Sequence, residues 1–152
     1  TQTPIHLPPS INNPTLDDCK KLCINNHQNC NAIVFTEPEI VSVGLSPEEA
    51  KERGEEIIIG KFPLAANSRA LTLGAEKTAR FIRVTARESD HVILGVQAVG
   101  SHVAELHGEF VLALEMGALL EDIADTVHAH PTMTEAFHEG VLKTLGHAIH
   151  TA

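Results

Sequence analysis

The chain has 152 residues, enough for one ordinary domain with a buried core, and 43% of them are hydrophobic against 20% charged. Its formal net charge of −9 sets it against the phosphate backbone of nucleic acids. Trp and Tyr are absent, which leaves little for stacking on bases or sugars, and no apolar run approaches the roughly 18 residues of a membrane helix. The expectation is a soluble, acidic, cytoplasmic domain without a membrane or nucleic-acid partner.

Residues 1–16 are rich in Pro, Asn and Thr with no apolar periodicity and read as an arm. Residues 15–25 carry a weak capping pattern, Thr15 with Asp18, for a short helix. All three cysteines, Cys19, Cys23 and Cys30, fall in this region, an odd and clustered count that cannot cross-link the whole chain. They read as free or partly oxidised thiols. A Cys3His zinc set with His27 is the alternative, and no metal is assigned. The character changes near residue 31, so the chain divides into a 1–30 arm and a 31–152 domain.

From there the pattern is mixed. NAIVF (31–35) and IVSVG (40–44) read as strands. Ser46 to Gly54 is a short helix with Ser at the N-cap, Pro47 in the first position, Glu49 closing a capping box and Gly54 ending it. EEIIIGKF (55–62) supplies β-branched residues for a strand, and PLAANSRA (63–70) reads as a loop. In ARFIRVTAR (79–87), Ile82, Val84 and Ala86 alternate with Phe81, Arg83 and Thr85, the mark of a half-buried strand. ESDH turns the chain into HVILGVQAVG (91–100), and so short a connection makes these strands antiparallel neighbours. Ser101 caps a helix to Gly117 with Val103, Leu106, Phe110 and Leu114 on one face. Further helices are expected over 119–127 and 133–146. Strands followed by helices indicate an α+β fold, an antiparallel sheet with helices packed on it.

No G-x-G occurs, so the turn that cradles a dinucleotide pyrophosphate is absent, as are a P-loop and H-E-x-x-H. The segment with chemistry is His128-Ala-His130-Pro131-Thr132-Met-Thr-Glu135. In the structural reading Thr132 and Glu135 form a capping box at a helix start, where the helix dipole favours an acid. In the functional reading Glu135 accepts a hydrogen bond from one ring nitrogen of His130, fixing the tautomer and leaving the other nitrogen as a base. Spacing alone leaves both open.

HAHPTMTEAFHE (128–139) resembles the H-x-H-P-T-x-x-E signature of the flavin disulfide reductases, above all dihydrolipoamide dehydrogenase. AIVFTEPEIVSVG, KFPLAANSRAL, FIRVTAR with VILGVQAVG, and LEMGALLEDIADTVHAHPT match the same family in order across 31–152. The ending LKTLGHAIH resembles the branch associated with branched-chain 2-oxo acid complexes. The resemblance implies the C-terminal dimerisation domain: an α+β sandwich, a homodimer, and a histidine lent to the flavin and redox-disulfide site of the partner subunit. It makes His130 the acid/base and Glu135 the carboxylate orienting it. It places the His130–Pro131 backbone, across a cis peptide, towards the partner's FAD. It also implies that FAD, NAD and the redox disulfide belong to domains this chain lacks, so the chain alone binds no cofactor and is inactive. Lipoyl groups of a 2-oxo acid dehydrogenase complex are the implied substrate. Residues 1–30 do not match this family; TLDDCKKLCINNHQNCNAIVF instead resembles a fragment of a PAN/apple-type module. The competing reading is a stand-alone dimeric interaction module with a Cys-rich partner-binding arm. A metal-binding protein built on the ten histidines is weak, because they are scattered.

Overall fold

The computed structural model describes residues 31–75 and 80–151. The expectations for the arm, its short helix and the cysteine cluster lie outside the described residues, as does the proposed boundary between arm and domain. Five strands form one antiparallel sheet: β1 (Asn31–Val34), β2 (Glu39–Gly44), β3 (Ile57–Pro63), β4 (Phe81–Arg87) and β5 (Ile93–Gly100). Their order across the sheet is β1-β2-β5-β4-β3, so β1 and β3 are the edges. The expected β4–β5 hairpin is present, with a bulge between Thr85 and Ala86. This is the α+β class read from the sequence.

Register sorts the side chains. Gly60, Val84 and Val96 are cross-strand partners, as are Phe62, Ile82 and Ala98, and Val43 and Val41 continue the two rows on β2. Partners directly opposite point the same way, so one face carries nearly the whole apolar set, all of it buried. The two longest helices, of the five in the described residues, pack on that face. The five are α1 (Pro47–Glu52), α2 (Ser68–Thr72), α3 (His107–Glu115), α4 (Leu120–Ala124) and α5 (Glu135–Thr144). α5 packs on β3 and β4, and α3 on β2 and β5. Phe110 of α3 and Phe137 of α5 meet edge to face with centroids 4.9 Å apart. Each such fully buried ring contributes roughly 1.5–3 kcal/mol of transfer free energy. The opposite sheet face is more polar: Lys61 sits 4.1 Å from the centroid of the Phe81 ring, and Arg83 Nε donates to Gln97 Oε1 at 3.1 Å.

The helix at Ser46 follows the sequence reading closely. Ser46 Oγ accepts from Glu49 N–H, and the Glu49 carboxylate accepts from Ser46 N–H at 2.8 Å. Elsewhere the boundaries shift. The strand in EEIIIGKF begins at Ile57 and runs to Pro63. PLAANSRA is not an open loop: it holds a 3-10 turn (Leu64–Ala66) and then α2, whose N-cap Asn67 accepts from Ala70 N–H at 2.8 Å. Ser101 caps nothing, because its hydroxyl is drawn to the Glu37 carboxylate at 2.9 Å and to buried Arg80. The next residue, His102, is left-handed (φ 64°), a 3-10 turn covers Val103–Leu106, and α3 begins only at His107. Val103, Leu106 and Phe110 are buried, and Leu114 packs partly buried against them, as the periodicity requires. The helices expected over 119–127 and 133–146 are shorter, Leu120–Ala124 and Glu135–Thr144. None of the helices among the described residues is long and apolar enough to cross a membrane.

Candidate acid/base site

The segment between α4 and α5 is fastened at several points before any catalytic group is considered. His128 has a buried ring, 6% exposed, whose Nε2 meets Glu109 Oε1 at 2.8 Å and whose Nδ1 meets Thr126 O at 2.9 Å. It stacks on His138 of α5 at 4.9 Å, and His138 Nε2 bonds Ala124 O at 3.0 Å. Two residues on, the His130–Pro131 peptide is cis, as the resemblance implied. Asn67 then crosses from the start of α2: its Nδ2 donates to Thr132 O at 3.0 Å while its Oδ1 caps α2. Thr132 Oγ1 donates to Ala129 O at 2.7 Å.

On this frame the two singled-out residues meet. His130 Nδ1 lies 2.8 Å from Glu135 Oε1, with the His130 ring 62% exposed and the Glu135 side chain 17% exposed. The other oxygen, Oε2, accepts from Thr132 N–H at 2.7 Å. Glu135 therefore divides its two oxygens between the Thr132 amide and the His130 ring. The expected box lacks its reciprocal half, because the Thr132 hydroxyl is turned to Ala129 and Thr134.

Burial alone raises the Glu135 pKa, but the Thr132 N–H, the His130 hydrogen bond and the charges of His130 and His150 outweigh it and hold the carboxyl below its ordinary value. Glu135 is thus ionised near neutral pH and only accepts, so a proton on His130 Nδ1 makes the bond. In the neutral ring that leaves Nε2 with its lone pair free, and it has no hydrogen-bond partner among the described residues. The arrangement is a carboxylate-oriented imidazole open to solvent, able to take and return one proton.

The pair borders an open cleft whose other wall holds Phe62, Ala66, Asn67 and Ser68. Glu139 and His150 also line it. Sequence reasoning missed both, and it missed Asn67. Asn67 had a signal, being an N-cap residue followed three positions later by its target amide. His150 and Glu139 are eleven residues apart across a helix end, and no spacing rule connects them. The cleft does not fit a complete FAD or NAD site: the chain has no glycine-rich turn to approach a pyrophosphate. Among the described residues no group of three or more His, Cys, Asp or Glu is placed to hold a metal ion.

Comparisons with known proteins identify the family and the fold. The family described as pyridine nucleotide-disulphide oxidoreductase, dimerisation domain, matches residues 30–141. Dihydrolipoyl dehydrogenase of Pseudomonas aeruginosa is 54% identical over 119 residues, covering 78% of this chain and 25% of that protein. Dihydrolipoyl dehydrogenase 2 of Haloarcula marismortui is 47% identical over 126 residues, covering 83% and 26%. Among solved structures, LpdA from Mycobacterium tuberculosis superposes with a TM-score of 0.67 at 25% identity over 73% of this chain and 24% of that one. The HOCl-induced flavoprotein disulfide reductase RclA from Escherichia coli shares the fold, with a TM-score of 0.70 at 21% identity over 77% and 26%. The chain spans about a quarter of the length of the relatives it matches. From the strand order, the H-x-H-P-T-x-x-E segment folded around one carboxylate, and these matches, it follows that the chain belongs to the dimerisation-domain family of the pyridine nucleotide-disulphide oxidoreductases.

Proposed function

We propose that this domain serves a dihydrolipoyl dehydrogenase-like enzyme as its dimerisation unit and gives His130 as general acid/base to the thiol–disulfide site of the partner subunit. The observation that carries the reading is the His130–Glu135 pair, with Nδ1 engaged and Nε2 free on an exposed ring. A dihydrolipoyl thiol has a pKa of about 8.5 and is mostly protonated near neutral pH, whereas only its thiolate attacks a disulfide. Nε2 takes the thiol proton as the new S–S bond forms and the disulfide's own S–S bond breaks. In the reverse direction the imidazolium returns the proton. Glu135 stabilises the imidazolium and fixes which nitrogen faces the thiol; it does not itself transfer the proton. FAD and NAD would carry the electrons in the complete enzyme. His130 and Pro131 are both exposed, as an edge presented to another subunit's flavin requires.

A homodimer belongs to the same proposal. Leu112 and Met116, 62% and 75% exposed, lie one turn apart on and just after α3, and Val127 is 95% exposed. Such side chains are costly to leave in water and suit a subunit contact. Sedimentation at micromolar concentration is expected to give a dimer, and a clean monomer would contradict this.

The mechanism is tested by joining residues 31–152 to FAD and NAD domains of a relative and assaying dihydrolipoamide oxidation. His130→Ala is expected to lower kcat by at least about 100-fold, the lower range for a lost general base, and Glu135→Ala by less. Full activity in the His130→Ala enzyme would refute the assignment.

A further inference from the structure

Glu139 is a carboxylate that the proposed mechanism does not use, yet it is almost fully buried, with its side chain 4% exposed. An uncompensated buried carboxylate is costly, and here the compensation comes from one place. Oε2 accepts from the backbone N–H of Ile149 and of His150, each at 3.2 Å, and Oε1 lies 2.8 Å from His150 Nδ1. The last described turn of chain is thereby tied back onto α5. Glu139 stands one helical turn after Glu135, so the two carboxylates share a face of α5. His130 pairs with the first and His150 with the second, each through Nδ1 at 2.8 Å, and all four side chains line the same cleft.

We propose that Glu139 and His150 are positioning residues for the His130–Glu135 pair: Glu139 anchors the C-terminal segment, and through it His150 presents a second imidazole to Glu135. The inference rests on the reading of His130 and Glu135 as the acid/base pair, and it adds a second carboxylate–imidazole unit that shares their cleft. The titratable groups lining that cleft are these four. The facing wall, Phe62, Ala66, Asn67 and Ser68, contributes none. A charged His150 stabilises the ionised form of Glu135, in agreement with the depression of the Glu135 carboxyl, to which His150 contributes after burial, the Thr132 N–H and His130. It therefore competes with the His130 ring for the field of the carboxylate that orients it. The C-terminal segment has a consequence for the site without touching a substrate.

The test uses the 152-residue chain at low salt and reads side chains by NMR, so that turnover plays no part. His150→Gln removes the second imidazole at an exposed position. The carboxyl titration of Glu135 is expected to move upward by a few tenths of a pH unit, the scale of one water-screened charge within the same cleft. His147→Gln, at an exposed histidine outside the cleft, is expected to leave it in place. Glu139→Gln is expected to release the His150 ring from its Nδ1-protonated form and to speed amide exchange at Ile149 and His150. An unmoved Glu135 titration in His150→Gln, or an equal shift in His147→Gln, overturns the proposal. Unchanged His150 tautomer and exchange in Glu139→Gln overturn the anchor. Active His130→Ala enzyme would defeat the acid/base reading while leaving these titrations as they are, so the two failures are distinguishable.

Discussion

Gly60→Ala adds a single methyl group, and the structure sets where it must go. Gly60 lies in β3 directly beneath α5, and a Cβ there would fall 2.2 Å from Thr144 Oγ1, 2.4 Å from Gly140 O and 2.6 Å from Thr144 N. The hydroxyl can rotate away, but the other two atoms are helix backbone. To bring the Gly140 carbonyl from 2.4 Å to an ordinary contact of 3.4 Å, α5 must lift by about 1 Å. Overpacking of this kind costs about 1–3 kcal/mol, and with backbone on both sides the upper end, near 3, is expected. The same helix bears Glu135 and Glu139, so the lift is expected to lengthen the Glu135–His130 contact as well. Gly108→Ala is the matched control: nothing lies within 4 Å of its Cβ, in the first turn of α3. Ala there is expected to stabilise by about 0.5 kcal/mol through the unfolded chain's lost freedom. Urea denaturation at equal protein concentration reads both, with the midpoint Cm falling for one variant and rising for the other. A Gly60→Ala protein within about 0.5 kcal/mol of the parent would show that α5 does not press on β3 as described.

Phe137→Ala removes the ring shared by α5 and α3 and is expected to cost about 3–5 kcal/mol in the same assay, leaving the chain largely unfolded at 37 °C by circular dichroism. Acidification is expected to weaken the domain through Glu135. Its carboxyl is held low in the folded state, so its contribution is complete above the ordinary value of about 4.3 and is lost as pH falls through the folded value. Glu135→Gln is expected to be less stable than the parent at pH 6, with the gap closing below about pH 4.5; a constant gap across that range would contradict the sign. Ser46→Ala, which breaks the one complete capping box supported by both sequence and structure, is expected to cost about 0.5–2 kcal/mol with the site's histidine signals unmoved.

Much of this architecture was legible because its signals are local. Ile82, Val84 and Ala86 alternate and are all completely buried, and the capping box at Ser46 is read off four consecutive residues. The His130–Glu135 contact was also within reach, because five residues separate a donor and an acceptor across a helix start. What stayed hidden depends on partners far along the chain. Ser101 has the look of an N-cap, but a carboxylate 64 residues away takes its hydroxyl, and α3 starts six residues later. Asn67 sits in a stretch with no periodicity, and its tie to Thr132 spans 65 positions. The two histidines of H-x-H are indistinguishable in composition. Only the fold makes one a buried clamp against Glu109 and the other a solvent-facing ring paired with Glu135.

The divided loyalty of the Glu135 carboxylate gives the site a built-in gauge. Because Oε2 holds the Thr132 amide and Oε1 holds the His130 ring, displacement of the Glu135 carboxylate releases both contacts at once. Hydrogen exchange at one backbone position, Thr132, is therefore expected to follow the fraction of molecules in which the Glu135 carboxylate has swung away from the His130 ring. On the acid/base role proposed above, a substitution that displaces the carboxylate and speeds exchange at Thr132 by tenfold is expected to raise the fraction of unoriented His130 by the same factor, about 1.4 kcal/mol of positioning, without any change in the histidine itself.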